Sequence, residues 1–210
     1  MYVIGITGCA GSGKSFVCQC AQQSLGIPVI DSDYECRCLQ EPGQPVFDEI
    51  VREFGPSCLS PDGTLNRAYL ASIVFNDRDS LLKLNSITHP ATIERIRNML
   101  AEYEKQGEEF VFVESALAAE AGYRLFCDEL WLVYASDETR VERLRTTRGY
   151  SDEKIASVFA SQIPQSTMFD CCERVIDNEN SVPRAGIVRQ IIFHLNQIRT
   201  KLQRAKETGN

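Results

Sequence analysis

Apolar residues along the chain follow two patterns. Short, β-branched or aromatic runs read as buried strands: Tyr2 to Thr7, Ile27 to Ile30, Phe110 to Val113, Leu130 to Tyr134 and Glu173 to Asn178. Between them the spacing turns helical. Ser15 to Leu25 has helical spacing and stops at Gly26, Tyr34 to Leu39 follows a possible Asp31 cap, and Val46 to Phe54 is amphipathic. Asn66 caps a helix through Phe75, and Asp77 begins another that is interrupted at His89-Pro90 and resumes to about Gln106. Helices also follow Asp137, cover Asp152 to Ser161, and run from about Pro183 to Lys201, with Ile187, Ile191, Ile192, Leu195 and Ile198 on one face and a frayed end beyond.

Alternation of strand and helix predicts an α/β fold with a five-stranded parallel sheet flanked by helices. The helical block from about 32 to 108 is too long for a crossover helix, so it reads as an inserted helical substrate lobe plus a core helix. The expected division of this single domain is a core of about 1–31, 90–136 and 170–205, a lobe of about 32–89 and a helical lid of about 137–169.

The chemistry concentrates after the first strand. Gly8-Cys9-Ala10-Gly11-Ser12-Gly13-Lys14-Ser15 matches G-x-x-x-x-G-K-[ST], in the required order of strand, glycine loop and helix. Backbone N–H groups from Gly8, Ala10, Gly11, Ser12, Gly13, Lys14 and Ser15 are expected to cradle phosphates, helped by the helix dipole. Lys14 supplies a point charge to the β- and γ-phosphates, and the Ser15 hydroxyl is a natural Mg²⁺ ligand. The motif therefore implies binding of a nucleoside triphosphate, ATP in the kinase reading, with Mg²⁺.

Two further features suit phosphoryl transfer. Asp31 and Asp33 stand at the end of the second strand, where ligands bind in open α/β sheets, and a carboxylate there could accept a proton from an attacking hydroxyl. Glu114 ends the third strand as a second carboxylate for the Mg²⁺ side. Arg140, Arg143, Arg145 and Arg148 crowd one helix after the fourth strand, as in a lid that stabilises charge on a transferring phosphoryl. A switch GTPase is disfavoured because no N-K-x-D-type guanine-reading segment is found. A non-catalytic ATP sensor would not need both Asp33 and an arginine lid.

Composition narrows the partners. A net charge of −7 over 210 residues argues against a general nucleic-acid binder. The N-terminus lacks a basic signal region and its apolar run is too short to span a bilayer, so no membrane is expected. Nine cysteines in an unsignalled chain read as reduced thiols in a cytoplasmic protein, and the C-x-C pairs Cys18/Cys20 and Cys36/Cys38 lack zinc-site spacing. A monomer or small homo-oligomer is expected.

The pattern over about residues 3 to 195 resembles the dephospho-CoA kinase family. It rests on Gly5-Ile6-Thr7-Gly8 running into Gly11-Ser12-Gly13-Lys14-Ser15, on Ile30-Asp31-Ser32-Asp33, and on Asp62 to Arg67 with Val74-Phe75. Ile87-Thr88-His89-Pro90, Glu114 to Leu117 with Glu120-Ala121-Gly122, Gln162 and Val175-Ile176-Asp177-Asn178 complete it. The resemblance implies ATP and dephospho-CoA as substrates, with the ribose 3′-hydroxyl as acceptor and Mg²⁺ as cofactor. Asp33 would be the general base, and Lys14, Arg143 and Arg148 would neutralise developing charge. Arg67 and His89 would lie in the CoA lobe, and Glu114 and Leu117 in the acceptor wall. Three departures stand out. Gly8-Cys9-Ala10-Gly11 replaces Gly-Gly-Ile-Gly, and Glu114 to Glu120 replaces Asp-x-Pro-Leu-Leu-Phe-Glu. Arg140-x-x-Arg143 followed by Arg148 replaces Gln-x-x-Arg with an arginine four residues on.

Overall fold

The computed structural model describes residues 1–74, 76–116 and 122–208. Phe75 and Leu117 lie outside the described residues. In chain order the elements are β1 (Tyr2–Thr7), α1 (Lys14–Leu25), β2 (Val29–Asp31), α2 (Ser32–Leu39), α3 (Pro45–Phe54), α4 (Arg67–Val74) and α5 (Arg78–Lys105). There follow β3 (Phe110–Glu114), β4 (Glu129–Tyr134), α6 (Asp137–Arg148), α7 (Asp152–Ala160), α8 (Gln165–Cys171), β5 (Arg174–Asp177) and α9 (Arg184–Glu207). They divide into two compact units, Met1–Val29 with Gly107–Asn210, and Ile30–Gln106.

The five strands form one sheet in the order β2-β3-β1-β4-β5, with β1 parallel to β3 and β4, and β4 parallel to β5. Continuous apolar runs suit strands covered on both faces. Ile4, Ile6, Phe112, Trp131 and Val133 are fully buried, and the Phe112 and Trp131 rings meet edge-on at 5.5 Å. Val17 and Ala21 of α1, with Ile187, Ile191, Leu195 and Ile198 of α9, belong to the same core, whereas Ile192, expected on the same face, turns out to be exposed. This packing fixes the loop between β1 and α1, where the glycine motif lies.

The second unit is helical, as expected of the insertion. Its caps are the residues read from the sequence: Asp31 Oδ1 accepts from Tyr34 N at 3.0 Å, Asn66 Oδ1 from Tyr69 N at 3.0 Å, and Asp77 from the amides of Asp79 and Ser80. Val46, Ile50, Cys58, Leu65 and Leu70 form its core. Glu35 of α2, nearly buried, pairs with Arg95 of α5.

Three elements differ from expectation. The interruption expected at His89-Pro90 is absent, and α5 runs through Pro90 for 28 residues. Its buried residues, Thr88, Thr92, Ile96 and Leu100, are spaced by four and dock one face within the unit, which outweighs the hydrogen bond that Pro90 cannot donate. Residues 90–106 consequently group with the lobe rather than with the core. Helix α8 escaped the sequence reading because it is seven residues long and buries only Met168. Helix α9 continues to Glu207, where Arg204 and Lys206 complement the C-terminal end of the helix dipole.

Candidate active site

The glycine motif turns from β1 into α1, and its tertiary neighbours explain its composition. Gly11 (φ +82°) sits on α6, so that a Cβ there would lie 2.8 Å from the Arg140 carbonyl oxygen. Gly13 (φ +85°) leaves no room either, since a Cβ would come within 2.3 Å of Asn178 Nδ2. Both positions combine a left-handed backbone with a close approach, which only glycine satisfies.

Carbonyl groups of the loop are held from behind. Ser12 O accepts from Asn178 Nδ2 at 2.7 Å and from Arg143 Nη1 at 3.1 Å, while Ala10 O accepts from Arg140 Nε at 2.9 Å. In a planar trans peptide the C=O and the following N–H point oppositely. Holding these carbonyls therefore turns the N–H groups of Gly11 and Gly13 the other way, as an anion cradle requires. The Ser12 N–H closes the loop on Cys9 O at 3.1 Å. Lys14 Nζ donates to the Gly8 carbonyl at 2.7 Å, which keeps its ammonium beside the loop.

Ser15 and Glu114, 99 residues apart in sequence, meet: Ser15 Oγ donates to Glu114 Oε1 at 2.7 Å. A hydroxyl and a carboxylate are the hard oxygen donors that Mg²⁺ prefers, and the remaining positions are ordinarily left to water and substrate phosphates. The pair fits the ion expected from the sequence. Among the described residues no group of three or more His, Cys, Asp or Glu side chains could hold a metal by itself.

Of the clustered arginines, Arg140 is buried, with its guanidinium 4.0 Å from the Phe159 ring centroid. Arg143 spreads its donors over Gly11 O, Ser12 O, Asn178 O and Asn180 Oδ1. Arg145 pairs with Asp152 on the surface, and Arg148 is exposed at the end of α6. Sequence reasoning gave no role to Asn178 or Gln162. Their only signals were the position of Asn178 just after the last strand and the presence of both in the family pattern. Cys9 is buried against Ile163 and Met168, and burial pushes its thiol pKa up more than Arg140 and Lys14 lower it.

Asp33, Arg67 and His89 belong to the second unit. Asp33 is exposed in the first turn of α2, and Arg67 Nη1 donates to Gln40 Oε1 at 2.6 Å. His89 is half-buried in α5, and burial lowers its pKa; His194 is lowered in the same way, with Arg174 adding to the effect. An unfolded imidazole titrates near 6.5 and binds protons that the folded one refuses, so stability is complete above that pH and falls below it. The urea midpoint is therefore expected to be lower at pH 5.5 than at pH 7.5, with a smaller difference in His89→Gln. Equal differences in wild type and variant would show that His89 makes no contribution.

A parallel sheet, a phosphate loop at the head of its first helix, and a hydroxyl–carboxylate pair beside it define a P-loop kinase of the nucleoside-monophosphate-kinase-like class. The comparisons with known proteins narrow this. The family model for dephospho-CoA kinase matches residues 2–184. A dephospho-CoA kinase of Carboxydothermus hydrogenoformans is 36% identical over 180 residues, covering 86% of this chain and 87% of its own. That of Symbiobacterium thermophilum is 38% identical over 184 residues, covering 88% and 77%. A crystal structure from Thermus thermophilus superposes with a TM-score of 0.79 at 28% identity, covering 93% of this chain and 96% of that one. The chain belongs to the dephospho-CoA kinase family.

Proposed function

We propose that the protein transfers the γ-phosphoryl group of ATP to the ribose 3′-hydroxyl of dephospho-CoA, yielding coenzyme A and ADP. The observation that carries this reading is membership of the family over residues 2–184, in a chain whose phosphate loop is formed and braced. In the proposed reaction the acceptor hydroxyl loses its proton to the Asp33 carboxylate as its oxygen bonds to the γ-phosphorus. The bond from that phosphorus to the bridging oxygen breaks, and ADP leaves with the electron pair. Lys14 and the N–H groups of Gly11 and Gly13 take up the charge that develops, whereas those of Ala10 and Ser12, expected in the cradle, are held by Gln162 and the Cys9 carbonyl.

Ser15 and Glu114 would hold Mg²⁺. Bound there, the ion would draw negative charge from the β- and γ-phosphates. Arg67 and His89 are candidates for acceptor contact in the helical lobe, and Leu117 with Glu114 for its wall. Arg148 is the exposed lid candidate for the transferring phosphoryl, whereas the bonds of Arg143 to loop carbonyls favour a role in shaping the loop. All nine cysteines are free thiols, which supports a reducing, cytoplasmic setting.

The decisive experiment measures ADP release from ATP·Mg²⁺ with dephospho-CoA, beside AMP, CMP, uridine and shikimate. Turnover with dephospho-CoA alone is expected. Turnover with one of the others instead would keep the kinase class and overturn the acceptor. ATP binding without any turnover would favour a sensor.

A further inference from the structure

We propose that Arg140 and Gln162 form a positioning pair that pins both polar groups of Ala10 and so aims the Gly11 N–H into the phosphate cradle. The proposal rests on the reading that ATP phosphates occupy this loop. Two side chains from the α6–α8 segment reach the same residue. Arg140 Nε donates to the Ala10 carbonyl at 2.9 Å, and the Ala10 N–H donates to Gln162 Oε1 at 2.9 Å. Each bond fixes one peptide plane: that of Gln162 the Cys9–Ala10 unit, that of Arg140 the Ala10–Gly11 unit. Because the second plane is rigid, the Gly11 N–H must point away from Arg140.

The surroundings of Arg140 are those of a built device. The side chain is only 4% exposed, yet a buried guanidinium is costly unless its donors are met. They are met on three sides, by Ala10 O, by Asp137 Oδ1 at 2.7 Å and by the face of Phe159. Asp137 is 64% exposed and accepts a second bond from Gln165. A surface ion pair alone would not need the arginine stem to pass under the loop. The loop in turn rests on the backbone of Arg140, through Gly11.

The test uses Arg140→Lys, Gln162→Leu and the double variant of the whole protein. Arg140→Lys keeps the charge and removes the planar fork. ATP affinity by calorimetry and KM for each substrate are measured, together with exchange of the Ala10 and Gly11 amides by ¹⁵N NMR. Each single variant should weaken ATP binding about tenfold, the scale of one lost oriented hydrogen bond. KM for dephospho-CoA should stay within about twofold, and Ala10 amide exchange should accelerate. The double variant should be little worse than the worse single one, because both act on one residue. Single variants with wild-type ATP affinity would overturn the pair, whatever their melting temperatures, and so would a double variant whose losses multiply. Should Arg140→Lys not fold, Gln162→Leu decides alone by ATP affinity and Ala10 exchange. A wild type that binds ATP without using dephospho-CoA would overturn the acceptor reading and leave this test, read in ATP affinity, intact.

Discussion

Asp33→Asn is expected to lower kcat by about 10²–10⁴-fold, the usual weight of a general base, with ATP affinity unchanged. The amide has nearly the shape of the carboxylate and cannot take the acceptor proton. Two aspartates stand at the end of β2, and one of them caps a helix. Asp31 Oδ1 receives the Tyr34 N–H and caps α2, which accounts for that carboxylate as a helix start. Asp33 stands exposed in the first turn of α2, where the helix dipole favours an anion. ATP affinity should survive because the phosphate loop belongs to the other unit and keeps all its groups. Asp31→Asn is the matched control, since asparagine caps as well as aspartate, and near-normal turnover is expected from it. The check is single-turnover kinetics at saturating substrates beside ATP calorimetry. An Asp33→Asn enzyme with near-wild-type kcat would remove Asp33 from the mechanism, and one that lost ATP affinity instead would recast it as a binding residue.

Much of this site was legible because its signals are local. The glycine loop, Lys14 and Ser15 occupy eight consecutive residues between a strand and a helix, and Glu114 ends an apolar run; their meeting follows from β1 lying beside β3. The bracing of the loop was not legible, because it is made by residues far away in the chain. Gln162 reaches Ala10 across 152 positions and Asn178 reaches Ser12 across 166, and no periodicity encodes either contact. The arginine helix was read as one feature, yet its members divide by the direction in which each leaves α6. Arg140 and Arg143 turn to the loop, while Arg145 and Arg148 stay at the surface. Pro90 misled for a related reason. Its local preference to break a helix is real, but the stripe from Thr88 to Leu100 is buried and holds α5 together.

Lys14→Ala should lower kcat/KM for ATP by about 10²–10³-fold, the cost of removing one preorganised charge donor from a phosphoryl-transfer site. Two effects combine in it. The ammonium no longer faces the β- and γ-phosphates, and the Gly8 carbonyl loses the donor that now holds it at 2.7 Å. Because Gly8 is buried, that carbonyl has little access to water as a substitute, so part of the loss should appear as weaker ATP binding rather than slower chemistry. Lys14→Arg separates the contributions. It restores the charge, but a planar fork cannot occupy the place of a compact ammonium, so only part of the rate should return. Calorimetry with ATP and steady-state rates for both variants make the comparison. If Lys14→Ala kept wild-type affinity and rate, the backbone amides of the loop alone would carry the phosphates, and the bracing of that loop by Asn178, Arg143 and Arg140 would become the main source of its anion affinity.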